Sequence, residues 1–319
     1  MHKKLFVLVA CVLVASSALL ACGCSGGSSV ALQNSQSWDL GDIDAVTISY
    51  QSDNITFAEA SSDLITIKEY MTESNTDYFA HVEQDGSSLV VTSGRRPGTG
   101  STFASHVEVY LPRSYQGFLG VTTTSGSVTF SSAHNLSSLQ IRTDSGNISL
   151  PDAGASGMAL ATTTGRISVT GGSGALVATS DSGRISVSGM RGPISAKTDA
   201  GGIDVSCDAL VGDVVLTSGA GAVSLTVPGQ SAFLFEADCE QSLLQTDFET
   251  DTDEVGQDQM AATPADDTPQ ATDEDSPAPS PTGQDEETTT RSTATIGTGA
   301  AAHVTLRSNT GRVTMRLSS

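Results

Sequence analysis

A short phrase built on a fixed glycine recurs along the C-terminal two-thirds of the 319-residue chain. Its clearest copy is Thr143-Asp-Ser-Gly146-Asn-Ile-Ser-Leu150. Successive copies are 18 to 20 residues apart, except that 90 residues separate the last copy from the one before it. The glycines of the seven copies, called corner glycines below, are Gly126, Gly146, Gly165, Gly183, Gly201, Gly221 and Gly311.

Apolar and polar residues alternate on both sides of each corner glycine, which is the period of a β-strand. Seven residues before the glycine stand Leu119, Leu139, Met158, Leu176, Ile194, Val214 and Val304. Two residues after it stand Val128, Ile148, Ile167, Ile185, Ile203, Val223 and Val313. Each copy therefore predicts a strand, a tight corner and a second strand, with the glycine supplying backbone angles that other residues resist.

One such unit cannot cover its own apolar face, whereas a stack of similar units can. The sequence therefore predicts an all-β, single-domain β-solenoid with coils of about 18–21 residues. An additional first coil is predicted with Asp53 in the glycine position, since Asp tolerates a left-handed corner better than most residues. A degenerate seventh coil is predicted with Ser242 at its corner, and the copy around Gly311 is expected to close the stack.

Residues 1–21 predict a lipoprotein signal peptide. The chain starts with a basic tetrapeptide, and residues 5–20 are apolar. The ending Leu19-Leu-Ala-Cys22 resembles a bacterial lipobox, in which the cysteine is lipidated. We therefore expect lipidation of Cys22 and attachment to the membrane of a bacterial cell envelope; ordinary secretion with a chance cysteine is the alternative.

Two low-complexity segments accompany the predicted solenoid of residues 39–319. Residues 22–38, rich in Gly, Ser, Ala and Asn, predict a flexible tether. The composition of residues 249–292 predicts a disordered acidic insertion. Residues 247–290 hold 14 acidic side chains and no Lys or Arg, which leaves 22 acidic and 15 basic residues elsewhere, a net charge of −7. This negative charge gives no support for nucleic-acid binding.

The aspartates beside the corners are the candidate ligand groups. Stacking would bring Asp181 and Asp199 to about 5 Å from each other. Such a ladder could hold calcium or supply the acid pair of a polysaccharide-cleaving enzyme. Against both, Arg166 and Arg184 can pair with these carboxylates, and Asp can cap its own turn. We expect no catalytic residue, no cofactor and no resident metal.

The remaining reactive side chains give one further hypothesis. An exported chain permits disulfides, so Cys207 and Cys239 could form a bridge; two buried thiols are the alternative. The five histidines show no metal-ligand spacing and no nucleophile–base pattern.

The strand beginning Val46-Thr-Ile48, the strand Val107-Glu-Val-Tyr-Leu-Pro112 and the serial Thr-x-Ser-Gly-x-Ile-x-Leu corners resemble the bacterial putative-adhesin family. The likeness spans roughly residues 40–319 apart from the acidic insertion. It implies a β-solenoid domain of envelope proteins and carries no catalytic residues to this chain.

Three functions follow from these patterns. The first is a lipid-anchored envelope surface protein that binds an envelope protein or a polysaccharide without catalysis. The second is a module of envelope-stress sensing or regulation. The third is a polysaccharide-active β-helix enzyme, which the lack of aromatic residues between positions 131 and 232 disfavours.

Overall fold

The computed structural model describes residues 29–97, 102–152, 154–254 and 290–318. The predicted signal peptide and Cys22 lie outside these residues. In the described part, all regular structure is β except for two short 3-10 helices, Thr76–Tyr78 and Gln241–Leu243. No helix in that part is long and apolar enough to span a membrane.

Seven strands form the N-terminal part of the molecule. They are β1 (Ala31–Asp39), β2 (Ala45–Ser49), β3 (Asn54–Glu59), β4 (Leu64–Met71), β5 (His81–Asp85), β6 (Ser88–Thr92) and β7 (Ser105–Leu111). The next twelve strands form six regular coils of two strands each. They are β8 (Phe118–Thr123), β9 (Val128–Phe130), β10 (Asn135–Thr143), β11 (Ile148–Pro151), β12 (Gly154–Thr162), β13 (Ile167–Thr170), β14 (Ser173–Ser180), β15 (Ile185–Ser188), β16 (Ile194–Thr198), β17 (Ile203–Ser206), β18 (Val214–Ser218) and β19 (Val223–Pro228).

Six strands form the C-terminal part. They are β20 (Phe233–Cys239), β21 (Leu244–Thr246), β22 (Asp251–Glu254), β23 (Thr290–Ile296), β24 (Ala302–Ser308) and β25 (Val313–Ser318). All strands belong to two sheets. The 12-stranded sheet has the order β1-β4-β7-β3-β9-β11-β13-β15-β17-β19-β25-β21, and the 13-stranded sheet has the order β22-β23-β20-β24-β18-β16-β14-β12-β10-β8-β2-β6-β5. The predicted β-solenoid is confirmed.

The core consists of columns of apolar side chains that the alternating pattern turns inward. Leu139 pairs in register with Leu119 on one neighbouring coil and with Met158 on the other. In the opposite sheet Ile148 pairs with Ile167. All five side chains are buried. Each fully buried apolar side chain stabilises the fold by about 1.5–3 kcal/mol, so the stack gains stability from every coil.

The corner glycines are required for a different reason from the predicted one. None of them has a positive φ; the only non-glycine residue in the described part that does is Asp152, and Asp53 therefore does not adopt the left-handed corner expected of it. The constraint is space. A Cβ built on Gly183 would lie 1.8 Å from the carbonyl oxygen of Gly165, and one on Gly165 would lie 1.8 Å from that of Gly146. Successive corners thus stack backbone on backbone.

A buried hydroxyl three residues before each corner glycine completes the corner. Thr143 Oγ1 accepts a hydrogen bond from the Gly146 N–H at 3.0 Å and donates to the Gly126 carbonyl of the preceding coil at 3.3 Å. The corresponding residues are Thr123, Thr162, Ser180, Thr198, Ser218 and Ser308. The hypothesis that Asp caps the turn is therefore wrong, because this inward hydroxyl already bonds the corner N–H.

We predict that Gly183→Ala destabilises the fold by about 3 kcal/mol or more, because the added methyl group meets the backbone of the neighbouring coil, which cannot move aside. Gly157→Ala is the matched control, since a Cβ there would have nothing within 4 Å. We expect the control to be neutral or stabilising by about 0.4–1 kcal/mol. Denaturant unfolding of both variants measures the difference; equal stabilities would contradict the stacked-corner explanation.

The copy around Gly311 does not close the stack, contrary to the prediction from sequence order. Strand β24 lies between β18 and β20, and β25 lies between β19 and β21. The last coil in the sequence is therefore inserted between the coil of β18 and β19 and the predicted seventh coil. Gly311 can stack on the corner of Gly221, whose carbonyl oxygen would lie 2.1 Å from an added Cβ. The segment of Ser242 lacks a corner glycine, and it occupies the end of the stack.

Two predicted low-complexity boundaries are also wrong. Residues 31–38, expected in the tether, belong to β1, which pairs antiparallel with β4 and buries part of Trp38 against the core. The expected insertion of residues 249–292 includes β22 and the first residues of β23, which form an antiparallel pair on β20. The composition of this segment did not indicate strands, because edge strands carry many polar side chains and so resemble a disordered segment in composition. Residues 255–289 lie outside the described part.

A buried ionic cluster closes the N-terminal end of the stack. Asp53 occupies the glycine position of the first coil, and its carboxylate contacts Arg96 Nε at 3.1 Å. A second Arg96 nitrogen lies 3.3 Å from Glu69 Oε1. Glu69 also accepts hydrogen bonds from Tyr50 at 3.2 Å and from Asn34 at 2.7 Å. Burial alone would lower the pKa of Arg96, but the two carboxylates outweigh it and raise that pKa.

We predict that Arg96→Ala destabilises the protein by about 3–5 kcal/mol, because it leaves two buried carboxylates without their cation. The adjacent Arg95 is exposed and forms no ion pair with a described residue. Arg95→Ala is thus the control and should change stability by less than about 0.5 kcal/mol. Thermal and urea unfolding measure both effects, and a small loss in Arg96→Ala would show that the cluster does not hold this end together.

Candidate functional site

The predicted acidic ladder has the expected backbone spacing but no completed ligand set. Asp199 donates its backbone N–H to the Asp181 carbonyl at 3.0 Å, and both side chains are exposed. Among the described residues, no three His, Cys, Asp or Glu side chains are grouped so that they could hold a metal ion. Arg166 and Arg184 form no ion pair with these aspartates in that part of the chain. The calcium hypothesis therefore gains no further ligand.

The possible disulfide between Cys207 and Cys239 is not formed; both are free, buried thiols, which was the alternative. Cys207 follows β17 in the 12-stranded sheet, whereas Cys239 ends β20 in the other sheet. Two coils lie between them, one of which is the inserted coil of β24 and β25. At about 4.8 Å per strand, this separation exceeds the roughly 4–7 Å between the Cα atoms of a disulfide. Burial raises the pKa of each thiol to about 11.

A polar groove runs along the edge of the stack opposite the corner glycines. We call this edge the return edge, because its loops lead each coil back to the 13-stranded sheet. One groove section, of about 540 Å³, is lined by Gln116, Asn135, Leu136, Ser137, Gly154, Ala155, Ser156, Ser173 and Gly174. A second section, of about 680 Å³, is lined by Asp39, Leu40, Gly41, Ile43, Asp44, Asp63, Ser114, Tyr115, Gln116, Gly117 and Ser137. The sections share Gln116 and Ser137 and therefore adjoin each other, and we treat them together as the groove.

The groove follows from a second column of small residues, nine positions before each corner glycine. Its members are Gly117, Ser137, Ser156, Gly174, Gly192, Gly212 and Ala302. Gly174 has φ +111°, and a Cβ on it would lie 1.8 Å from the Ala155 carbonyl oxygen. A larger side chain at this place would have to displace backbone. This column was the sequence signal for the groove, and attention to the corner glycines alone misses it.

Uncommitted hydrogen-bonding groups line the first section of the groove. The amides of Gln116 and Asn135 and the hydroxyls of Ser137, Ser156 and Ser173 are exposed. None of these five side chains forms a hydrogen bond with another residue in the described part of the chain. They can donate to and accept from a ligand without breaking an internal bond.

The groove becomes acidic toward the N-terminal end of the stack. Asp39, Asp44 and Asp63 line the second section, and no Lys or Arg lines either section. Asp39 already accepts a hydrogen bond from the Gly41 N–H at 2.9 Å. The groove therefore presents donors and acceptors along most of its length and negative charge at one end.

A buried histidine supports the backbone beneath the groove. The His134 carbonyl accepts a hydrogen bond from the Gly154 N–H at 3.0 Å. The His134 ring contacts Ser132 Oγ through Nε2 at 3.2 Å, and Nδ1 has no hydrogen-bond partner in the described part of the chain. Burial lowers the pKa of His134; nearby Glu59 opposes this effect and Arg113 adds to it. The imidazole is therefore held neutral at neutral pH.

We predict that protonation of His134 weakens the fold as the pH falls below about 6.5, the ordinary pKa of histidine. The unfolded chain then binds a proton that the folded chain resists, so the free energy of unfolding decreases until the lowered folded-state pKa is reached. His134→Gln should remove this contribution. The exposed His303, changed to Gln, is the control and should leave it intact. Unfolding measured between pH 5 and 8 tests this, and identical pH profiles for all three proteins would disprove it.

Comparison with known proteins gives a family and weak matches to solved structures. The family model Toastrack DUF4097 matches residues 43–272. No curated protein matches the sequence. A solved structure from Clostridium sporogenes ATCC 15579, described as a putative cell adhesion protein, is similar with 6% identity and a TM-score of 0.26, over 89% of this chain and 98% of that one. A putative adhesin from Parabacteroides distasonis ATCC 8503 is similar with 13% identity and a TM-score of 0.32, over 62% and 86%.

Proposed function

This chain belongs to the Toastrack DUF4097 family, and we propose that it is a non-catalytic binding protein of the bacterial cell envelope, anchored by lipid at Cys22. Membership in the family confirms the resemblance to a putative-adhesin β-solenoid that the corner phrases indicated. The polar groove of the return edge is the proposed binding site. Its ligand belongs to the envelope, as a surface protein or a polysaccharide.

The observation that carries this proposal is the fixed row of uncommitted polar groups in the groove. Asn135 begins β10 and pairs with Gly154 of β12, while Ser173 begins β14 and pairs with Gly154 on one side and, through an isolated bridge, with Arg191 on the other, so both backbones are held in place. A ligand therefore meets groups that are already in place. Little conformational entropy is lost when such groups bind, which favours affinity.

The chemistry of the groove supports binding more than turnover. Its lining residues include no His and no Cys. The amides and serines of the first section lack a neighbouring base that could activate a nucleophile. The three aspartates of the second section are the groups from which an acid–base pair would have to come in a polysaccharide-cleaving enzyme.

The position of β1 supports anchoring at the N-terminal end of the stack. Strand β1 starts at Ala31, nine residues after Cys22. Nine residues reach at most about 30 Å, so a lipid on Cys22 would hold this end close to the membrane. Asp39, at the acidic end of the groove, is the last residue of β1.

One experiment tests anchoring and binding together. We expect Cys22→Ser to move the protein from the membrane fraction into the medium and to abolish labelling with a fatty-acid probe. The secreted protein should still bind isolated envelopes. Adding Ser137→Trp, which fills the groove, should remove that binding. Adding Ser145→Trp should not, because Ser145 is an exposed serine at the corner of the same coil.

Each half of this experiment can fail separately. An unlabelled wild-type protein that is found only in the medium would contradict anchoring. Equal envelope binding by the Ser137→Trp and Ser145→Trp proteins would place the binding site outside the groove. Circular dichroism and unfolding curves establish that both variants are folded.

A further inference from the structure

We propose that the groove binds an extended, uncharged glycan whose sugar units follow the coils of the stack. This inference rests on the proposed binding function and specifies its ligand. Three features carry it: the chemistry of the lining side chains, the sign of the charge at one end, and the repeat along the groove.

The lining chemistry matches a polyhydroxylated chain. Sugar hydroxyls both donate and accept hydrogen bonds, as do the amides of Gln116 and Asn135 and the hydroxyls of Ser137, Ser156 and Ser173. The first section is lined by two apolar side chains, those of Leu136 and Ala155, and both are buried. An apolar peptide would leave the polar side chains unpaired, which disfavours it as a ligand.

The charge of the groove selects against polyanions. Asp39, Asp44 and Asp63 face any ligand that enters the second section, and no cation lines the groove to offset them. Like charges brought together at a binding site disfavour the complex. A glycan with carboxylate or phosphate groups should therefore bind less well than a neutral one.

The repeat of the groove matches a polymer. The small-residue column places Gly117, Ser137, Ser156 and Gly174 on four successive coils; the parallel pairing is regular across the first three, and its register shifts by one residue between Gly154 and Gly157, where the third coil meets the fourth. Successive coils are about 4.8 Å apart, which is similar to the length of one pyranose unit in an extended chain. Successive sugars can therefore each meet the polar groups of one coil, and these weak contacts add along one ligand.

The groove offers no exposed aromatic ring on which a sugar could stack. Its aromatic residue, Tyr115, is 5% exposed and donates its hydroxyl hydrogen bond to the Phe118 carbonyl at 2.6 Å. Recognition therefore depends on hydrogen bonds distributed over several coils. Affinity should rise steeply with the number of sugar units and should be weak for a monosaccharide.

Titration calorimetry with the Cys22→Ser full-length protein tests the inference. The neutral probes are chitohexaose, cellohexaose and their monosaccharides. The anionic probe is an oligogalacturonate of six units. We expect at least one neutral hexamer to bind at least about tenfold more tightly than its monosaccharide and than oligogalacturonate. Asn135→Ala combined with Gln116→Ala should weaken that binding about tenfold, the effect of losing one to two net hydrogen bonds.

The groove variants show whether a glycan is the ligand and whether the groove is its binding site. Ser137→Trp should abolish hexamer binding and Ser145→Trp should retain it. No binding of either neutral hexamer at millimolar concentration, or binding of oligogalacturonate as tight as that of the neutral oligomers, would overturn the glycan inference. If envelope binding nevertheless requires an open groove, the proposed function stands with a different ligand. If Ser137→Trp leaves envelope binding unchanged, the proposed function itself fails.

Discussion

The close approach of successive corners is the constraint on which the rest of the structure depends. At each corner the carbonyl oxygen of the preceding corner residue occupies the space that a Cβ on the glycine would need, as at Gly165 and Gly183; at Gly126 that carbonyl belongs to Asp53. The inward Thr or Ser three residues earlier bonds the corner N–H and, in most coils, the carbonyl below. Because these contacts recur in most coils, they hold the register, and the apolar columns of the core follow from that register.

A regular stack has no natural end, and the two ends of this molecule are closed by different means. At the N-terminal end Asp53 replaces the corner glycine, and its carboxylate fills the place of a further coil together with Arg96. Antiparallel strands extend both sheets beyond this point. At the C-terminal end β20 and β21, which flank Ser242, cover the inserted coil, and the antiparallel pair of β22 and β23 extends the sheet beyond β20. These irregular ends hinder edge-to-edge association of the long parallel sheets.

The candidate binding groove, like the corners, depends on small residues at fixed positions of the repeat. Small residues nine positions before the corner leave the backbone of the return edge uncovered, and Gly174 cannot carry a side chain without a clash. The groove is therefore a property of the repeat. Its polar lining comes from the flanking residues, such as Asn135 and Ser173, which vary from coil to coil. Stability and recognition can thus be changed largely independently.

The sequence by itself determined the coils, because strand alternation and a fixed corner glycine are local patterns repeated at a constant spacing. It identified the inward apolar columns seven residues before and two residues after the corner, including Leu139 and Ile148. Only the tertiary structure decided why the corner must be glycine, since the carbonyl that excludes a Cβ belongs to another coil. The order of the last coils also required it, because Val304 pairs with Val214 across 90 residues of sequence. The pairing of Asp53 with Arg96 and the separation of Cys207 from Cys239 arise from contacts between distant segments, which no local pattern records.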